Sequence, residues 1–304
     1  MTTLHSDYPD NAEIDAWCDD LYERANGLSY RAEPVEPVQP QQPVPRHTVG
    51  TTYVRFEIDG QPPFYGYWQP VHGGGPAPLL LHVPGYGAEM SAHPELVQAG
   101  YNVLHMNPLG YCTPDGHDES RRVDGNWPVL PDTMASGGER GYVDWLSHVL
   151  VGLRWALEQD CVAATRIGCF GTSQGGGGAL LLGSLLCGHG VKAVAADLPF
   201  LTNFPLMSGH DNVGAYGMVL NDKPIPPGGW RGLGLIDTLS HAHRLELPVM
   251  LTAGTADVTT PPKSIHSLFE QLPGTRSYTE LAGQAHTYTP QFLTLATNWF
   301  RLYL

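Results

Sequence analysis

From residue 51 onward the chain alternates short apolar runs with longer amphipathic stretches, and few architectures accept that pattern. Runs at 79–83, 103–106, 167–170, 191–196, 249–252 and 278–281 carry almost no charge, as expected of parallel strands buried on both faces. Between them, 142–158 places Val143, Leu146, Leu150, Leu153 and Leu157 three or four residues apart, the spacing of a helix that packs one face on a sheet. Residues 176–187, 262–271 and 290–302 are further helix candidates, the last with Thr289 as cap and Pro290 in its first turn. Strands alternating with helices predict a mostly parallel sheet covered by helices on both faces. Ahead of it, 51–58 and 64–68 flank a turn at Asp59-Gly60 and predict an N-terminal antiparallel hairpin.

The first 48 residues differ from 49–304 and are expected to stand as a separate N-terminal segment. Residues 11–27 have helical character, with Ile14, Trp17, Leu21 and Tyr22 on one face and Gly27 as a cap. Beyond it Pro34, Pro37, Pro40 and Pro43 recur every third residue, matching the turn of polyproline II. We read this as an extended strap tying the helix to the body, in preference to a docking site for a proline-binding partner. Two later segments, 111–138 and 200–231, are rich in Gly, Pro, Asp and Asn and too long for ordinary connections. Since loops at the carboxyl ends of such strands carry ligand sites, they are expected to shape a pocket.

Composition removes whole classes of function. In 304 residues, 16 Lys+Arg stand against 30 Asp+Glu, a formal charge of −14, so neither nucleic acid nor an anionic membrane finds the positive charge it would pair with. No apolar run approaches a membrane span, and the acidic first 20 residues lack the basic start and apolar stretch of a signal peptide, which points to the cytoplasm. The five cysteines, 18, 112, 161, 169 and 187, are odd in number and include no Cys-x-x-Cys pair, so they are read as buried thiols. Asp115-Gly116-His117-Asp118-Glu119 and the pair His241 and His243 lack metal-ligand spacing; no metal and no cofactor is implied.

The chemistry is carried by Gly171-Thr172-Ser173-Gln174-Gly175, a Gly-x-Ser-x-Gly placed directly after an apolar run and directly before a helix. That is the setting of a nucleophile elbow, where a tight, strained turn holds a serine hydroxyl clear of the chain. A serine needs a base, and the base needs a partner to fix its tautomer. The order expected for this elbow is Ser, then acid, then His. Asp257 follows one strand and His286 the last, each on a loop at a carboxyl end, as Ser173 is. Asp197, just past the 191–196 strand, is a rival acid; Asp257 is preferred because the strand after next is the usual donor. His266, the nearer histidine, sits inside a helix. Two oxyanion donors are also required: the N–H of Gln174 is one, and the Pro84-Gly85-Tyr86-Gly87 turn offers the N–H of Tyr86, whose ring would wall the acyl pocket.

The run Gly171-Thr172-Ser173-Gln174-Gly175-Gly176 resembles the Gly-x-Ser-Gln-Gly-Gly motif of the cephalosporin C deacetylase and acetyl xylan esterase family, carbohydrate esterase family seven, within the α/β-hydrolase superfamily. The likeness extends to 196–204 (Ala-Asp-Leu-Pro-Phe-Leu-Thr-Asn-Phe), to Ile236-Asp237-Thr238-Leu239, and to Gly254-Thr255-Ala256-Asp257 followed by Pro261-Pro262. It covers roughly 50–304. The resemblance implies an α/β-hydrolase fold, a triad of Ser173, Asp257 and His286, oxyanion donors Tyr86 and Gln174, and hydrolysis of short acyl esters, chiefly acetyl, of a carbohydrate or other small molecule. It leaves a homo-oligomer open. There are departures: the family's Arg-Gly-Gln motif is absent near Asn107-Pro108-Leu109-Gly110, and its His-Glu pair reads His286-Thr287. A thioesterase or peptidase-like hydrolase would share the triad, and a silent binding scaffold is the alternative outside enzymes.

Overall fold

The computed structural model of the chain describes residues 4–36, 52–73, 75–87, 91–136, 140–209, 212–220, 224–226 and 228–304. Pro37, Pro40 and Pro43 lie outside the described residues. Among these residues the strands are β1 (Tyr30–Val35), β2 (Thr52–Ile58), β3 (Phe64–Gln69), β4 (Ala77–Val83), β5 (Asn102–Asn107), β6 (Cys112–Thr113), β7 (Gly116–His117), β8 (Val162–Thr172), β9 (Val191–Asp197), β10 (Val249–Gly254) and β11 (Arg276–Leu281). Nine of them form one sheet in the order β1-β2-β3-β5-β4-β8-β9-β10-β11, and β6 with β7 forms a small separate ribbon. From β5 to β11 every pairing is parallel, while β1, β2, β3 and β5 pair antiparallel.

The helices are α1 (Asn11–Gly27), α2 (Pro94–Gln98), α3 (Leu130–Ala135), α4 (Arg140–Leu157), α5 (Gln174–Leu185), α6 (Phe204–Met207), α7 (Gly214–Leu220), α8 (Gly229–Gly234), α9 (Pro262–Gln271) and α10 (Pro290–Tyr303). On one face of the sheet, Leu80, Val103, Phe170 and Ala195 pack with Leu96 of α2 and Phe292, Ala296 and Phe300 of α10. The other face buries Leu79, Leu81, Cys169 and Val194 under α1, α4, α5 and α9. Alternation along each strand feeds both layers, which is why the runs read as continuously apolar.

The N-terminal segment is integrated into this body. Helix α1 starts at a capping box in which the Asp10 carboxylate accepts from the Glu13 N–H and the Glu13 carboxylate from the Asp10 N–H. Its buried residues Ile14, Cys18, Leu21 and Ala25 belong to the main core, where each large apolar side chain contributes about 1.5–3 kcal/mol. The chain then enters the sheet as β1, a strand the strap reading did not foresee. Pro34 is tolerated there because β1 is an edge, where a missing N–H costs no ladder bond. Cross-strand ion pairs join Arg31 to Glu57 at 3.0 Å and Arg55 to Glu33 at 3.2 Å.

A second anchor lies at the very start. The Tyr8 hydroxyl donates to the Asp237 carboxylate at 2.8 Å, and the same carboxylate accepts from the N–H groups of Asn203 (2.7 Å), Phe204 (2.9 Å) and Leu239 (3.0 Å). These donors fix the chain after β9, where Leu198, Leu201 and Asn203 all have positive φ, a region that costs a non-glycine residue free energy.

Candidate active site

Parallel strands place the turns that follow them side by side at one edge of the sheet. In the β4–β8 ladder Val83 lies opposite Gly171, so the turn 84–87 stands against the turn that carries Ser173. Ser173 has φ +59° and ψ −120° and directly precedes α5, a strained backbone held by its neighbours. A Cβ on Gly171 would lie 2.5 Å from the Gly175 carbonyl oxygen and 2.7 Å from that of Val83, and one on Gly175 would collide with the carbonyls of Val83 and Pro84. Glycine at both positions is a steric requirement of the elbow.

The structure brings Ser173, His286 and Asp257 together. The Ser173 hydroxyl lies 2.9 Å from His286 Nε2, and His286 Nδ1 lies 2.8 Å from Asp257 Oδ2. Asp257 is 3% exposed, and it accepts from the N–H groups of Thr259 (2.8 Å) and Thr260 (3.0 Å) and from the Thr260 hydroxyl (2.8 Å). Burial pulls its carboxyl upward, yet the hydrogen bond from His286, those from Thr260 and the nearby imidazole outweigh burial and leave it below the ordinary carboxylate value. A carboxylate that stays ionised is what orients an imidazole and stabilises its charged form. The Thr260 hydroxyl also approaches His286 Nδ1 at 3.2 Å and the Leu198 carbonyl at 3.1 Å, so one side chain ties the Asp257 loop to the end of β9. Sequence reasoning did not single out Thr260, although a hydroxyl three residues after the acid is readable.

Asp197 takes a different place. It is 1% exposed at the end of β9, with hydrogen bonds from the hydroxyls of Thr172 (3.0 Å) and Thr252 (2.5 Å). These strap together three adjacent strands, β8, β9 and β10. Burial pushes its carboxyl up to about 6 despite the two threonines. In the unfolded chain the group ionises near the ordinary value, about 3.9. Its folded value is therefore the raised one, and its contribution to stability is complete at low pH and lost as pH rises through about 6. The loss amounts to about 3 kcal/mol at most, from about 1.4 kcal/mol per pKa unit. Asp197→Asn should thus gain stability relative to the parent between pH 4.5 and pH 7.5, a trend urea unfolding at the two pH values reads directly. A difference independent of pH would contradict it.

At the expected oxyanion donors, Gln174 is the first residue of α5, and the first N–H groups of a helix have no partner within it. Tyr86 is 40% exposed, and its hydroxyl donates to the Trp127 carbonyl at 2.6 Å. Trp127 is the hub of the 111–136 segment: Tyr111 stacks on it at 5.3 Å, His117 lies at 5.4 Å, and the Arg122 guanidinium sits over its ring at 4.2 Å. The long segment is thus fastened to the turn that carries Tyr86, through an indole no local motif marks. The second long segment reaches the site through α7, where Gly214 lies against Thr259.

The remaining candidates are structural. His241 is fully buried, 2.8 Å from the Ser184 hydroxyl and 2.9 Å from the Leu235 carbonyl, and His243 lies 3.0 Å from Asp15. His266 lies within α9. Cys18, Cys112 and Cys169 are buried, whereas Cys161 and Cys187 are only partly so, and all five are free thiols. Among the described residues no helix is long and apolar enough to cross a membrane.

Compared with known proteins, residues 43–302 match the family model described as acetyl xylan esterase (AXE1). Among solved structures, acetyl xylan esterase 1 from Thermoanaerobacterium sp. JW/SL YS485 is similar with a TM-score of 0.75 and 17% identity, over 97% of this chain and 95% of that one. The acetyl xylan esterase from Paenibacillus sp. R4 gives 0.70 and 20%, over 100% of this chain and 96% of the other. An acylaminoacyl peptidase from Pyrococcus horikoshii gives 0.59 and 15%, over 92% of this chain but 43% of the peptidase. At these identities the structures speak to the α/β-hydrolase fold.

Proposed function

The chain belongs to the acetyl xylan esterase (AXE1) family, serine esterases that act on acetyl esters of carbohydrates, and from that premise we propose that Ser173, His286 and Asp257 are its catalytic triad, with the amides of Tyr86 and Gln174 as oxyanion donors. The observation that carries this reading is the continuous contact from the Ser173 hydroxyl to His286 Nε2 at 2.9 Å and from His286 Nδ1 to Asp257 at 2.8 Å.

The reaction follows from the placement. Ser173 Oγ attacks the ester carbonyl carbon while His286 Nε2 takes the hydroxyl proton. The carbonyl oxygen becomes an oxyanion between two N–H donors, one from the turn after β4 and one at the N-terminus of α5, whose dipole also favours negative charge. As the tetrahedral intermediate collapses, His286 gives the proton to the departing sugar oxygen. Water then enters, loses a proton to His286 and attacks the acetyl-enzyme; the second collapse releases acetate and returns the proton to Ser173. Asp257 holds the imidazole with Nδ1 protonated throughout. The free thiols of all five cysteines fit work in the reducing cytoplasm.

The acyl group is small in this reading. It is supported by the Tyr86 turn, which Trp127 clamps beside Ser173, leaving little freedom for that side to open around a long chain. A series of p-nitrophenyl esters should show kcat/KM highest for acetate and falling steeply beyond butyrate, with acetylated xylo-oligosaccharides and cephalosporin C as deacetylation substrates. A fluorophosphonate should label Ser173 and block all of these activities together. Labelling at another residue, or a preference for long acyl chains, would count against the assignment.

A further inference from the structure

Three buried histidines outside the triad meet beneath the oxyanion turn. His82 Nδ1 lies 2.6 Å from His105 Nδ1 and 3.1 Å from His93 Nε2, and the three residues are 7%, 0% and 3% exposed. His82 is the penultimate residue of β4, two before Pro84, and His105 is its register partner on β5. His93 precedes α2, on the far side of the turn, and its backbone N–H donates to the side-chain Oε1 of Gln69 on β3 at 2.8 Å. Phe170, three residues before Ser173, stacks on His82 at 4.5 Å and meets His93 edge-on at 5.1 Å.

This arrangement is not what a core needing only to be filled would contain. His82 and His105 continue the face on which Leu80 and Val103 pack, where Leu or Phe would fill the space without polar atoms to satisfy. Buried polar groups are retained when they are partnered, and directional bonds then hold their elements in one relative position where apolar packing would tolerate several. Burial drives the His82 imidazole well below its ordinary value, with His93 and His105 adding to the effect, so the central ring of the cluster stays neutral. None of the three rings belongs to the contact path from Ser173 through His286 to Asp257.

We propose that His82, His93 and His105 are positioning residues for the oxyanion hole: the imidazole cluster clamps the chain on both sides of Gly85–Gly87 and registers it against the strand that delivers Ser173. The inference rests on the triad reading above and names what holds one of its two donors in place. A donor of this kind acts only on the charge that develops in the transition state, so a small displacement costs rate while leaving substrate binding nearly intact.

The test compares His93→Phe, which fills the volume without a polar atom, with His93→Gln, whose amide nitrogen reaches toward His82 as Nε2 does. A trifluoromethyl ketone, which a nucleophilic serine converts to a tetrahedral oxyanion adduct, serves as the probe. For His93→Phe, kcat/KM toward p-nitrophenyl acetate and affinity for the ketone should fall together by about 10- to 100-fold, and His93→Gln should restore both to within about threefold of the parent. If His93→Phe fails to fold, His93→Asn, whose shorter amide does not reach His82, should show the same paired loss. A drop in melting temperature with both values unchanged, or a loss of kcat/KM without loss of ketone affinity, overturns the proposal. Full activity in Ser173→Ala would instead overturn the triad reading, so the two failures are distinguishable.

Discussion

Ser173→Ala should fold like the parent and lose about 10⁵- to 10⁶-fold in kcat toward p-nitrophenyl acetate, the loss seen when a serine nucleophile that acts as a unit with its base is removed. Folding is expected to survive because the hydroxyl contributes no hydrogen bond to the elbow: the turn is held by its backbone, with the Ser173 N–H donating to the Asp197 carbonyl at 2.9 Å and the Phe200 N–H to the Ser173 carbonyl at 2.9 Å. Alanine keeps both bonds and adds no atom where Gly171 and Gly175 leave no room. Residual turnover above water should reflect the oxyanion donors and binding alone. Activity within tenfold of the parent, with circular dichroism and melting temperature unchanged, would remove Ser173 from the mechanism.

The second large effect concerns the acid. Asp257→Asn should cost about 10⁴-fold in kcat, because the asparagine amide donates to His286 Nδ1, shifts the ring proton to Nε2 and leaves no lone pair facing Ser173. Asp197→Asn serves as the contrast, since Asp197 is bonded to Thr172 and Thr252 and makes no hydrogen bond to the imidazole. Its activity at pH 8 should stay within about tenfold of the parent, a small share of the loss assigned to the triad acid. If the two variants lost activity equally, the roles of the two carboxylates would have to be reassigned.

What was readable in the sequence was what is encoded locally. The elbow declared itself because a strained serine between a strand and a helix needs glycine at two fixed offsets, and Asp257 and His286 because each follows an apolar run at a strand's carboxyl end. The parallel strands were legible within a few residues for the same reason. Strand β1 was not: Tyr30-Arg31-Ala32-Glu33 alternates, but over only four residues before Pro34 interrupts the run, and no residue of Tyr30–Val35 is fully buried. Helix α2 is five residues long, too short to show a period. Trp127, Thr260 and the histidine cluster escaped because their meaning lies in partners brought near only by the sheet: His82 and His93 read as two of 14 histidines until the fold sets them 3.1 Å apart.

The contact between Tyr8 and Asp237 has a consequence for the order of assembly. It joins residues 229 positions apart, so on a ribosome it forms only after most of the chain has emerged, and in refolding it carries one of the largest loop-closure entropies in the molecule. Until it closes, the Asp237 carboxylate holds the strained stretch from Leu198 to Asn203 with backbone donors alone. That stretch leads directly out of β9, whose last residue holds the Ser173 amide. The contact is therefore a late one: the stretch after β9 gains its Tyr8 hydrogen bond only when the residues ahead of α1 pack back onto the body synthesised after them.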